Sequence, residues 1–443
     1  MTDMYSIGTS GIRAYQRALS TISVNISNAE NPNYVRRNLR LAELTSSAGI
    51  NPYFIHQTGF GGVEIGGISR STDPFLEANV RLTGAALYGA ETRFRWMKNA
   101  ETALGDTEHG VGAKFNKLFA IAEELASAPF NSVLRNQFIS EIDASVTAIN
   151  RTANVLATLS GQISGAAEQE VITFNEAIEN LAKTNLALRI ATNGSSKQAA
   201  LLDQRDAALA VLSERADVTI SFADKGVANI SYDGQSLVDV GQTNTLSVIS
   251  GASGNISLAV NGISVTAPSR GSLSALLSSA TTTVQRRTEL DNLANQFAVD
   301  INAWQAAGET NAGVAGPPLL NAAGGATALT MITRDPADLA LATAGGATNG
   351  NIANFSALRG STGVEQIWTN IVGAQAIVTA SAQSENAAAK AQYEAAREAR
   401  DSLSSVDLDR EAADLLRYQE AYNASARVIQ VARENMQNIL ALF

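Results

Sequence analysis

One large apolar side chain returns at every seventh position through the C-terminal segment: Leu408, Leu415, Tyr422, Ile429, Met436 and Phe443. A strict seven-residue return on a helix makes a seam that must lie against another helix, because a helix wound to 3.5 residues per turn keeps that row facing one partner. Ala412, Ala426 and Leu440 fill the alternate positions, while Gln419 and Arg433 interrupt them. Ser405 or Asp407 can cap the start, and Asp409 and Glu411 place negative charge in the first turn. No Gly or Pro follows to stop the helix, so it is expected to run to the last residue.

The matching pattern lies near the other end of the chain. Ile12, Tyr15, Leu19, Ile22 and Ile26 step by three and four, the rhythm of a second seam, and the helix should end before Asn31-Pro32. Residues 1–44 carry five Arg against three acids, a net of +2, and residues 401–443 carry four Arg against seven acids, a net of −3. Opposite sign supports pairing, though exposed ion pairs add little energy. The eleven seam residues are therefore the candidate assembly interface, expected to order fully only when further subunits supply more surface.

Between these ends the helical period dominates. Helices are predicted over 75–104 (opened by Asp73-Pro74), 114–127, 131–159, 171–188, 199–215, 273–304 and 364–403, with Pro129 and Gly161 as punctuation. Segments 33–44 and 59–69 read as extended or hairpin structure. From Val218 to Val265 the period falls to two, with turn signals at Asp224-Lys225-Gly226, Asp233-Gly234 and Asn261-Gly262, which reads as a small antiparallel β insert. Short apolar runs at 329–332 and 339–341 suggest one more hairpin. The fold class expected is mainly α with a β-rich insert, drawn out as an elongated multidomain rod of nested, discontinuous domains. Residues 1–44 and 401–443 would form a terminal coiled coil, 45–216 and 272–400 a helical domain, and 217–271 the outer β-rich insert.

The inventory of reactive side chains is short. The 443 residues include no Cys and two His, His56 and His109, so disulfides, thiol nucleophiles and thiolate metal sites are all excluded. Gly59, Gly61, Gly62, Gly66 and Gly67 do not fit a dinucleotide fingerprint and read as turn chemistry. Asp203 and Asp206 sit one turn apart and imitate a catalytic carboxylate pair, but with Arg205 between them they read as a solvated helix face. Arg36, Arg37 and Arg40 form either a contact for an acidic partner or a solvated basic edge. A net charge of −10 argues against nucleic acid or an anionic membrane as the main partner. No run of eighteen apolar residues exists, and the N-terminus lacks the basic and continuous apolar regions of a cleaved signal. No enzyme, cofactor or metal is indicated.

Three stretches resemble the flagellar axial proteins, the family of rod, hook and hook-associated subunits. Residues 18–34, from Ala18-Leu19 through Asn25-Ile26-Ser27-Asn28 to Asn31-Pro32-Asn33-Tyr34, are similar to the family's N-terminal pattern ALxxxxxNIANxNTPGY, with Asn33 where the pattern has Gly. Asn also accepts positive φ, so a turn tolerates the change. Leu201-Leu202-Asp203-Gln204-Arg205-Asp206 ahead of the β insert, and residues 406–429 from Val406-Asp407-Leu408 to Arg427-Val428-Ile429, resemble the hook-associated branch. The resemblance implies a secreted, extracellular structural subunit of the bacterial flagellum at the hook-filament junction. It implies type III export without a cleaved signal, an export chaperone, and self-association into a helical ring stack through the terminal coiled coils. The implied partners are the flagellar hook protein on one side and another hook-associated protein or flagellin on the other. Two alternatives stay open: a sibling axial subunit, and a secreted cell-wall hydrolase carried in the insert.

Overall fold

The computed structural model describes residues 2–43 and 61–441. In chain order, the helices are α1 (Thr2–Ser27), α2 (Pro74–Ala103), α3 (Val111–Ser127), α4 (Ser132–Ile190), α5 (Ser196–Arg215), α6 (Ser272–Ala307), the short α7 (Gly350–Ala353), α8 (Val364–Ser404) and α9 (Leu408–Leu440). The strands are β1 (Arg37–Glu43), β2 (Val63–Arg70), β3 (Thr219–Phe222), β4 (Ala228–Tyr232), β5 (Gln235–Asp239), β6 (Gln242–Thr243), β7 (Leu246–Ser250), β8 (Ile256–Val260), β9 (Ile263–Val265), β10 (Gly308–Glu309), β11 (Leu320–Asn321), β12 (Thr330–Met331) and β13 (Ala342–Thr343). The chain is mostly helical with small sheets. It divides into two compact units, one of 1–85, 173–245 and 390–443, the other of 86–172 and 246–389.

In the first unit, β1 and β2 form an antiparallel pair with a bulge at Arg40/Leu41. The bulge falls opposite Gly67, whose φ of 101° is open to glycine and strained for any other residue. Its Cα faces Gly194, a turn glycine at φ 70°, so closely that a Cβ on Gly67 would lie 2.9 Å from the Gly194 Cα. The Ile68 N–H donates to the Gly194 carbonyl at 2.7 Å, which ties the hairpin to the α4–α5 turn. Strands β3, β4, β5 and β6 make an antiparallel sheet in that order. Buried Asn185 of α4 anchors it, donating to the Ala228 and Val240 carbonyls at 2.8 and 3.0 Å and accepting from Ala228 N–H at 3.0 Å.

The second unit has an aromatic centre. Phe138 and Phe355 stand edge to face with centroids 5.2 Å apart, Trp304 lies 4.9 Å from Phe355, and Phe115 packs 5.2 Å from Phe297. Burying Trp304 requires a partner for its ring N–H, and the Asn351 carbonyl accepts it at 2.9 Å. Strands β7, β8 and β9 form a separate antiparallel sheet, so the segment read as one insert holds two sheets that fall in different units.

Three local expectations need correction. Gly161 does not punctuate: α4 runs through it for 59 residues. Leu156, Leu159, Ile163 and Ala167 are buried on either side of it, and that apolar face outweighs the roughly 1 kcal/mol helix penalty of one glycine. The runs 329–332 and 339–341 do not pair with each other, since Met331 pairs with Leu320 and Ala342 with Glu309. A turn over Pro336–Asp338, capped by Asp335, separates the two runs, and Leu339 and Leu341 are buried instead. The terminal helix stops at Leu440, short of the last residue.

Candidate assembly interface

Helix α1 lies antiparallel to α9, and small residues make the contact. Gly8, Gly11, Ala14 and Ala18 form the buried stripe of α1. A Cβ on Gly8 would stand 2.6 Å from Ile429 Cγ1, and one on Gly11 would stand 2.8 Å from the Ser425 hydroxyl. Glycine is therefore what allows the two backbones to approach. One turn further, the Tyr15 and Tyr418 rings tilt against each other with centroids 6.1 Å apart. On the other flank of α1, the Ser10 hydroxyl accepts from Val63 N–H at 3.1 Å, attaching β2.

The large seam residues are distributed unevenly around this contact. Ile22 is buried, Ile12, Tyr15, Leu19, Leu415, Tyr422 and Ile429 are half-buried, and Ile26, Leu408 and Met436 are exposed. Phe443, with His56 and Gly59, lies outside the described residues. Ile429 meets Gly8 and Tyr15 meets Tyr418, so large residues of one helix sit against small or aromatic ones of the other.

At the α9 start a polar knot closes the pair. Asp407 caps the helix, accepting from Asp409 and Arg410 N–H. Glu411, fully buried, accepts from Arg36 Nε at 2.6 Å and from Asn25 Nδ2 at 2.9 Å. Asn25 is saturated: its Nδ2 also donates to the Arg37 carbonyl at 2.9 Å, and its Oδ1 accepts from the Tyr34 hydroxyl at 2.7 Å and from Arg37 N–H at 3.1 Å. Burial pushes the Tyr34 phenol up to about 12, with Arg37 pulling the other way, so it stays a donor at neutral pH. The Arg36 N–H donates to the Ser404 carbonyl at 2.9 Å, joining the β1 entry to the α8 end.

A second ionic cluster lies beside the first. Arg37 and Arg70 reach Asp203 at 3.0 and 2.8 Å, and Arg70 and Arg205 reach Asp206 at 2.7 and 2.6 Å. Asp203 and Asp206 are thus not a solvated helix face, and of the three arginines only Arg40 is exposed while Arg36 and Arg37 are buried in ion pairs within this chain. Arg70 and Asp206 lie 136 positions apart, Arg37 and Asp203 166, and Arg36 and Glu411 375, separations that no local pattern encodes. Among the described residues no group of three or more His, Cys, Asp or Glu could hold a metal, and no helix is long and apolar enough to cross a membrane.

The pairing of α1 with α9 through a small-residue stripe, locked by a buried carboxylate at one end, is the arrangement expected of the axial class that the sequence resembles. Residues 97–320, half of the chain, match the flagellar hook-associated protein FlgK helical domain, and 400–442 match the flagellar basal body rod FlgEFG protein C-terminal family. The chain belongs to the FlgK family of flagellar hook-associated proteins. It is 25% identical over 327 residues to flagellar hook-associated protein 1 of Salmonella typhimurium, covering 70% of this chain and 57% of that one. It is 23% identical over 485 aligned positions to the Bacillus subtilis protein of the same name, covering 97% and 96%. The chain thus spans little more than half the length of the Salmonella relative. Its fold is similar to the flagellar hook junction protein FlgK from Burkholderia pseudomallei, with a TM-score of 0.50, 18% identity, and coverage of 55% of this chain and 46% of that chain.

Proposed function

We propose that this protein is a structural subunit of the bacterial flagellum that joins hook to filament, without enzymatic activity, and assembles through its terminal helices into a short helical tube outside the cell. The observation that carries this reading is the exposed apolar surface of α9. Leu416 is 62% exposed and Val431 45%, and the seam residues Met436 and Leu440, with Ile439 beside them, are exposed toward the helix end. A helix that leaves this much apolar surface uncovered supports packing against further helices. Opposed copies of α1 and α9 from neighbouring subunits fit it, and heterologous contacts of that kind build helical stacks. The terminal pair is read as a coiled coil for polymerisation, with the seam residues named above contributing within and between subunits. The hook protein would meet one face of the stack and another hook-associated protein or flagellin the other, with an export chaperone holding the open helices before assembly.

A second reading is favoured by the match of 400–442 to the rod-protein C-terminal family, which suits a sibling position along the axis. Adding purified protein to filament-free hooks separates the two. Junction subunits cap the hook in a short layer and then accept filament, whereas long self-polymers or no attachment would overturn the junction assignment. Leu416→Asp should abolish layer formation while changing the folding stability by no more than about 0.5 kcal/mol, as befits an exposed site.

A further inference from the structure

The chain carries five methionines and no cysteine, so thioethers are its only sulfur. Their placement is uneven. Met97 on α2 and Met331 in β12 are 1% and 7% exposed, inside the second unit, whereas Met4 on α1 and Met436 on α9 are 41% and 45% exposed; Met1 lies outside the described residues. The two exposed sulfurs share one end of the terminal pair. With Gly8 against Ile429 and Tyr15 against Tyr418, α1 and α9 run antiparallel, so Met4 lies about 6 Å of helix rise beyond the Gly8 contact and Met436 about 10 Å beyond it. Tyr5, Ile439 and Leu440 are exposed at the same end. The three tryptophans, the other readily oxidised side chains, are all buried.

We propose that Met4 and Met436 form a reversible oxidation site through which peroxide blocks packing of the terminal helices against a neighbouring subunit. The sulfur lone pair attacks one peroxide oxygen, the O–O bond breaks, an S=O bond forms, and the second oxygen leaves as water. The sulfur loses two electrons and the peroxide gains them. The reagent must reach the sulfur, which burial denies to Met97 and Met331. Reaction turns a flexible apolar side chain into a polar, chiral one whose oxygen needs hydrogen bonds from water. Covering that oxygen with the apolar surface of another helix leaves an acceptor unpaired, which is unfavourable. The block rests on the assembly reading above; the site itself does not. Packing would cover the same sulfurs, so the unassembled subunit is the form that reacts. Thiol-driven reduction restores the thioether: two thiols become a disulfide, and the oxygen departs as water.

Hydrogen peroxide added to the full-length monomer tests this, with sulfoxide located by peptide mass. Met4 and Met436 should oxidise about tenfold faster than Met97 and Met331, following exposure. Capping of filament-free hooks should fall about tenfold and return after treatment with both methionine sulfoxide reductases, one for each epimer. In the Met4→Leu/Met436→Leu variant, compared with its own untreated sample, peroxide should no longer change the capping level. Equal rates at Met97 or Met331 would overturn the site. Oxidised protein that caps hooks as well as untreated protein, capping that the reductases do not restore, or a double variant that peroxide still inactivates would each overturn the block. Untreated protein that fails to cap hooks would take down the junction reading and the block together, and the mass map of the monomer would still decide the site.

Discussion

The aromatic centre of the second unit and the α1–α9 pair solve the same problem of helix packing with opposite materials. Around Phe138, Phe355 and Trp304, large rings interlock and the one polar ring atom of Trp304 is satisfied inside. Between α1 and α9 the buried stripe of α1 is glycine and alanine, and many large apolar residues of α9, Leu416, Val431, Met436, Ile439 and Leu440 among them, stay exposed. The first arrangement removes its apolar surface from water unaided; the second keeps much of its own in reserve.

Substitutions can sharpen or break this contrast. The largest effect is expected at Phe138, fully buried in the ring cluster: Phe138→Ala should lower stability by about 4 kcal/mol in chemical denaturation. At the polar knot, Glu411→Ala strands Arg36 and Asn25, and breaking a buried pair costs roughly 3 kcal/mol. The loss should be local, seen as faster amide exchange in α1 and α9 while α3 and α6 keep their protection; uniform loss across both units would erase the contrast. Gly8→Val forces a branched side chain against Ile429 and should weaken the pair by about 2 kcal/mol by the same exchange measurement. The smallest effect is that of pH on Tyr34. A phenol raised from about 10 to about 12 in the folded chain contributes stability that is present below pH 10 and lost as pH rises toward 12. Comparing alkaline melts with Tyr34→Phe should reveal it, and identical pH profiles would place Tyr34 in water.

Much of the helical framework was legible because periodicity is local. Helices α1, α2, α5, α6, α8 and α9 lie close to their expected spans, and the Asn261-Gly262 turn forms with φ of 48° and 81°. The interface was harder to read, because attention goes to large residues every seventh position while the approach of α1 is set by Gly8, Gly11, Ala14 and Ala18, a small-residue stripe visible in the same stretch at helical spacing. Arg36, Arg37, Asp203 and Asp206 look like surface charges in sequence because their partners come from remote segments. The division of the β segment into two sheets is likewise set by which helices each sheet covers, which strand pattern alone does not specify.

The spacing between α1 and α9 has a mechanical corollary. Ile429 seats over Gly8 and Ser425 over Gly11, so each glycine is a notch that indexes one turn of α9, while Tyr15 against Tyr418 and the buried Glu411 set the same alignment farther along. The two helices are thus keyed together like a rack and its teeth, and filling a notch would wedge the pair apart rather than let it slide.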